Sequence, residues 1–136
     1  MFTHDMQLRV RYAETDQMGF VYYGNYATYF EVARVESFRA LGFSYKSMEE
    51  QGVMMPVLEY KIKYLRAAMY DDLLTVKTFI KELPSARIRF EYEVYNEAGI
   101  LLTVAETTLV FVNSASKRPC PMPDSFLNLL KPFFAT

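Results

Sequence analysis

The chain has 136 residues, a formal net charge of -1, 51% apolar residues, 11 Tyr, 11 Phe and no Trp. A chain of that size buries about two-thirds of its unfolded surface, so one domain over residues 1–136 is expected to hold a real core without staples. The apolar content excludes disorder, and the balanced charge argues against a nucleic-acid binder, which needs a concentrated basic face.

Met6, Leu8, Val10 and Tyr12 alternate with Gln7, Arg9 and Arg11, the pattern of a half-buried strand. A polar loop follows, with carboxylates at Glu14 and Asp16. From about Asn25 to Leu41 the period lengthens to three or four, through Tyr26, Tyr29, Phe30, Ala33, Ser37 and Leu41. Val32, Val35 and Phe38 widen the apolar arc, which predicts a helix buried on most sides. Gly42 is placed to end it and Phe43 to pack beyond. Ser44 can cap a second, short helix reaching Gln51. Strands are expected around Leu58–Tyr64, Leu74–Ile80 and Ile88–Val94, with a long last one over Ile100–Val112. Their connections, Met69-Tyr70-Asp71-Asp72, Leu83-Pro84-Ser85 and Asn96-Glu97-Ala98-Gly99, are short and turn-like, so the strands should pair antiparallel in chain order. A short helix from about Asp124 to Leu130 closes the chain. The reading is α+β, one antiparallel sheet on one long helix.

The chemistry concentrates at the loop and the start of that helix. A helix N-terminus offers backbone N–H groups without acceptors, and a carboxylate beside it adds a base or nucleophile. Hydrolysis of an activated carbonyl needs both, one to deliver water and one to hold the developing oxyanion. Asp16 is the candidate, although Asp in a loop often only caps a turn. Glu14 reads as a solvated loop residue, and Glu31 with Arg34 as a same-helix ion pair.

The run Asp16-Gln17-Met18-Gly19-Phe20-Val21-Tyr22-Tyr23-Gly24-Asn25-Tyr26, continuing to Phe30-Glu31 and Arg34, resembles the opening of the 4-hydroxybenzoyl-CoA thioesterase family, the hotdog-fold acyl-CoA thioesterases, in its YbgC-like branch. The likeness is specific there, extends as element order to about Asn113, and fades in the tail. It implies a hotdog fold, with a five-stranded antiparallel sheet wrapped around one central helix. It implies hydrolysis of an acyl-CoA or carrier thioester, with Asp16 activating water or attacking the thioester itself. The oxyanion donor would be the Tyr23 backbone N–H, with Gly24 second. Gly19, Val21, Tyr26, Pro56 and Val57 would line the acyl pocket, and Arg87, Lys117 and Arg118 would meet the phosphates of coenzyme A. No cofactor is implied beyond the coenzyme A of the substrate. Many bacterial relatives carry histidine where this chain has Tyr23, and tyrosine cannot act as a base near neutral pH. The main-chain donor survives that change.

Other chemistries find no support. His4, the one histidine, lies in the leading segment, which disfavours a triad or a histidine-based dehydratase or isomerase. No Gly-x-Ser-x-Gly, paired metal spacing or phosphate-binding glycine loop occurs. Cys120 lies among Pro119, Pro121 and Pro123, a poor setting for a thiolate, and a lone cysteine fits a reducing compartment. Met18, Met48, Met54, Met55 and Met69 suit an adaptable acyl pocket or a filled core equally. Met1–Asp5 shows no signal-peptide pattern and no apolar run reaches spanning length, so a cytoplasmic location is expected. The competing reading is a non-catalytic hotdog module binding acyl or aromatic ligands. Apolar residues on both faces of the last strand predict an uncovered second face, rare on a monomer. The resemblance implies that it is covered by self-association to a dimer or tetramer, with the partner's Pro56-Val57-Leu58-Glu59 completing the site.

Overall fold

The structure, a computed structural model, describes Met1–Ala135. Strand β1 covers Phe2–Arg9, helix α1 Tyr26–Leu41, helix α2 Tyr45–Glu50, and the short β2 Val53–Met54. Strands β3 (Val57–Tyr64), β4 (Leu73–Ile80), β5 (Arg87–Tyr95) and β6 (Leu101–Val110) follow, then the short β7 (Val112–Asn113) and helix α3 (Asp124–Leu130). Five strands form one antiparallel sheet in the order β1-β4-β5-β6-β3, and β2 pairs with β7. This is the hotdog arrangement, with α1 lying on the inner face.

α1 buries Tyr26, Tyr29, Phe30, Ala33, Arg34, Ser37 and Phe38, the stripe that a spacing of three to four places on one side. The arc is narrower than the sequence suggested. Val32 is exposed and Val35 only half-buried, because the sheet covers one side of the helix and leaves the other open. Gly42, at φ 85°, ends the helix, and Phe43 N–H donates to Phe38 O at 2.9 Å. Phe43 then stacks on Phe126 of α3, with ring centroids 4.9 Å apart. Phe38 meets Phe43, Tyr45, Phe90 and Phe126, so truncating it to Ala would cost about 3–5 kcal/mol. Ser44 caps α2 by accepting from Ser47 N–H at 3.0 Å.

Several boundaries and pairings differ from the pattern in the sequence. β1 begins at Phe2 and ends at Arg9. Its inward residues alternate from Phe2, and Thr3, His4 and Asp5 mask that alternation with polar side chains. Tyr12 instead opens a short 3-10 turn. The last strand breaks after Val110, where β7 turns away to pair with β2. β3 does not pair with β4, its neighbour in sequence, but with β6, from Val57↔Leu109 to Tyr64↔Thr103. β4 takes β1 instead, from Phe2↔Ile80 to Arg9↔Leu73. The segment 65–72 is therefore no hairpin turn. It crosses from one edge of the sheet towards the other and docks on the loop before α1: Val21 N–H donates to Ala68 O at 2.8 Å and Tyr70 N–H to Gly19 O at 3.3 Å.

The outer face of the sheet also departs from expectation. It carries a charge ladder, Lys61–Glu106–Arg89–Glu91–Lys81, running from β3 to the end of β4. Exposed pairs of this kind are each worth only about 0–1 kcal/mol, so the ladder keeps the face wet rather than holding it together. The uncovered apolar surface lies elsewhere, along the free edge at β3, where Val57, Leu58, Tyr60 and Tyr64 are exposed.

Candidate active site

Asp16 sits in a tight reverse turn. Its N–H donates to Phe20 O at 2.8 Å, and Gly19 N–H donates to Asp16 O at 3.0 Å. Gly19 holds φ 77°, a left-handed conformation that a side chain would strain. One carboxylate oxygen serves the turn: Oδ1 accepts from Met18 N–H at 2.9 Å and Phe20 N–H at 3.2 Å. No hydrogen bond from the described residues engages Oδ2. Asp16 thus does what a loop aspartate ordinarily does with one oxygen and keeps the other free. It lines a cavity of about 340 Å³ together with Val21, Tyr23, Tyr26, Tyr64 and Leu65.

The start of the helix supplies the donors. A 3-10 turn, Tyr23–Asn25, leads directly into α1. Tyr22 N–H donates to Glu14 O at 2.8 Å, Asn25 N–H to Tyr22 O at 2.9 Å, and Tyr26 N–H to Tyr23 O. The Tyr23 and Gly24 amides find no backbone acceptor among the described residues, as the first amides of a helical stretch must. A Cβ at Gly24 would sit 2.7 Å from the exposed Tyr22 ring, so any side chain there would push that ring aside. Tyr26 is buried, packing edge-on to Tyr64 of β3 at 5.2 Å, and so forms the inner wall of the cavity.

Glu14 is not the solvated residue its loop position suggested. Its side chain is only 15% exposed. Oε1 accepts from Arg11 N–H at 2.9 Å and from the Tyr29 hydroxyl at 2.9 Å, while Oε2 accepts from the Arg11 guanidinium at 3.0 and 3.2 Å. Burial raises its pKa, but the Arg11 amide, the Tyr29 hydroxyl and the Arg11 guanidinium outweigh that and hold the carboxyl below the usual range. Burial, and then the Glu14 charge, push the Tyr29 phenol upward, so it stays a donor. The partner that makes Glu14 structural lies fifteen residues on, on α1. Only the placement of a tyrosine on the helix face hinted at it.

The remaining candidates scatter. Glu31 and Arg34 form no ion pair. Arg34 is 7% exposed and turns inward, donating from Nη1 to the Tyr92 hydroxyl at 3.0 Å, which in turn meets Thr107 Oγ1 at 2.6 Å. Glu31 stays at the surface. Gly19 shapes the turn from outside the cavity, with Met69 packed against it. Pro56 and Val57 line a separate cavity of about 570 Å³ with Arg34, Met48, Met54 and Met55. Of the methionines, only Met18 lies at the Asp16 cavity. Arg87 pairs with Val110, and Lys117 and Arg118 belong to the turn after β7. The Asp16 cavity instead borders Tyr64, which pairs with Thr103. Along β6, Thr103 to Val110 spans roughly 23 Å at ~3.3 Å per residue. Within one chain the basic residues and Asp16 therefore stand at opposite ends of the sheet. His4 is half-buried on β1, paired with Thr78 of β4, and makes no hydrogen bond to Asp16. Among the described residues no three His, Cys, Asp or Glu side chains gather as a metal site requires.

The thioesterase-like superfamily matches residues 10–130, which span the loop, the helix and the whole remaining sheet. The chain belongs to that family. YneP of Bacillus subtilis (strain 168), named provisionally as an acyl-CoA thioesterase, is 36% identical over 126 residues, covering 93% of this chain and 91% of its own. The acyl-CoA thioesterase YbgC of Haemophilus influenzae is 35% identical over 117 residues, 85% of each. A solved structure of a DHNA-CoA thioesterase from Staphylococcus aureus superposes with a TM-score of 0.88 at 35% identity, covering 100% of this chain and 97% of that one. The protein is a hotdog thioesterase, a thioester hydrolase.

Proposed function

We propose that this hotdog thioesterase hydrolyses acyl-CoA, or a related carrier thioester, to the free acid and thiol, with Asp16 as base or nucleophile. The observation that carries this reading is the division of labour at Asp16: Oδ1 is tied into its turn and Oδ2 is left free beside the cavity. The thioester carbonyl would lie over the helix start, its oxygen receiving the Tyr23 N–H, with Gly24 as the alternative donor. As the tetrahedral carbon forms, negative charge on that oxygen meets donors already aimed at it. The chain's own groups suffice for these steps, so no cofactor is invoked beyond the coenzyme A of the substrate.

The same reading includes self-association at the β3 edge, to a dimer or tetramer. An antiparallel pairing of two β3 strands would set the partner's Val57 end beside Tyr64, and with it the partner's Arg87, Lys117 and Arg118 near Asp16. That supports a coenzyme A site shared between chains, and an acyl pocket completed by the partner's Pro56 and Val57. No helix among the described residues is long and apolar enough to cross a membrane. We place the enzyme in the cytoplasm.

Asp16→Asn is the direct test. It keeps the turn's acceptor and removes the base, so the fold should persist while turnover falls by ~10²–10⁴, the span of a positioned acid–base group. Thiol release should be followed on a panel of aliphatic and aryl CoA thioesters. Near-wild-type turnover by a folded Asp16→Asn protein removes Asp16 from the reaction.

A further inference from the structure

The two amides proposed to hold the oxyanion lie between two anchored points. On one side, Tyr22 N–H is fixed to the main-chain oxygen of Glu14 at 2.8 Å. On the other, Asn25 Nδ2 is fixed to that same oxygen at 2.8 Å. The Glu14 side chain reaches in two further directions, to Arg11 in the preceding turn and to Tyr29 on α1. Tyr29 packs edge-on to Tyr26, the cavity wall, with ring centroids 5.9 Å apart. Glu14 does not line the cavity itself.

We propose that Glu14 is a positioning residue for the reaction: held by Arg11 and Tyr29, it fixes the Tyr22–Asn25 segment, and so the oxyanion donors, relative to Asp16. Catalytic geometry tolerates little slack, since a misplacement of about 1 Å can cost on the order of 100-fold in rate. A residue that joins the carboxylate loop, the donor segment and the helix through bonds at both its main chain and its side chain removes that slack. Its carboxylate suits the task because it is itself sheltered and meets donors on both oxygens, whereas an amide at this position would set its own N–H groups against the Arg11 amide or guanidinium. The groups facing it are Arg11 from the preceding turn and Tyr29 from α1, with Tyr26 behind Tyr29.

The inference rests on the thioesterase reading, and its test separates the two. Wild type, Glu14→Gln, Tyr29→Phe and the double variant are compared by thiol release and by thermal melting. Misplaced donors weaken only the transition state, so Glu14→Gln should lower kcat about 10-fold and Tyr29→Phe about 3-fold, with KM within about twofold of wild type. Because Tyr29 acts through Glu14, the double variant should lose no more than Glu14→Gln alone. In Tyr29→Phe, Glu14 loses a donor to its charged form, so the acid limb of the kcat profile should move to higher pH. Should Glu14→Gln fail to fold, the kcat and pH profile of Tyr29→Phe decide. Unchanged kcat in the single variants, losses that multiply, or an unmoved acid limb overturn the proposal while leaving the thioesterase standing. A wild type that releases thiol from no member of the panel overturns both.

Discussion

β1 and β3 both border the sheet, yet they leave different things in the open. β1 keeps a strict alternation, with Phe2, Met6 and Leu8 turned inward and Thr3, Asp5, Gln7 and Arg9 outward. β3 has no sheltered side: Ile62 alone is half-buried, while Leu58 is 50% exposed and Tyr60 39%. Edge strands carry unpaired backbone groups and are ordinarily blunted by charge or brevity. β1 is finished by polar side chains. β3 joins unpaired backbone to large apolar side chains along its whole length, from Val57 and Leu58 to Tyr64 beside the Asp16 cavity, which is how a surface suited to being covered looks. The more apolar edge is thus the one whose Tyr64 lines the Asp16 cavity.

The largest effect should come from spoiling β3. Leu58→Asp together with Tyr60→Asp should halve the mass seen by light scattering at micromolar concentration. It should also reduce kcat on the order of 100-fold, as a site assembled from two chains comes apart. A fully active monomer would dissolve the contrast between the edges. Next, removing charge at Arg87, Lys117 and Arg118 should raise KM for CoA thioesters about 10-fold at low salt and leave kcat alone, because distant phosphate contacts bind ground and transition states alike. Mixing that triple variant with Asp16→Asn chains should recover wild-type KM and part of the turnover, since one of the two sites in a mixed dimer is intact. Lack of recovery would mean each site is built within one chain. The smallest effect belongs to β1: Thr3→Lys and Gln7→Lys should change stability by no more than about 0.5 kcal/mol, and leave mass and kcat as they were.

Glu14 adds a pH dependence of known sign. Its folded pKa is lowered, so its contribution to stability is present above the ordinary glutamate range and is lost as pH falls through the lowered value. Acid melting curves of wild type and Glu14→Gln should converge at low pH.

Local features were readable and long-range partners were not. The period of α1, its stop at Gly42, the Ser44 cap and the turns around Pro84 and Asn96 all follow from rules acting within a few residues. The pairing of β3 with β6 does not, because Leu58–Tyr64 presents the same alternation to any neighbour and only the packed whole selects one. The turn at Asp16, with its glycine and the helix start beyond, was legible because these are contiguous in sequence. Glu14 was misread because Tyr29, the residue that draws it inward, is a core aromatic by pattern, and nothing in that pattern reveals that its hydroxyl bonds back to the loop. Arg34 was misread alike, its hydroxyl partner Tyr92 lying across the core on β5.

The docking of segment 65–72 on the Asp16 loop sets an order of events as the protein forms. Val21 has its acceptor at Ala68, and Val10 at Asp72, so the loop finds its bonds only after a long stretch of chain has closed on it. β1 must likewise wait for β4, since Phe2 pairs with Ile80. Contacts of such sequence separation form slowly, because the loop-closure entropy comes before any reward. A chain emerging from the ribosome can coil α1 early, yet its Asp16 loop lacks these bonds until the chain has reached β4. A chain that stopped short of β4 would therefore lack the bonds that hold the Asp16 loop beside the start of α1.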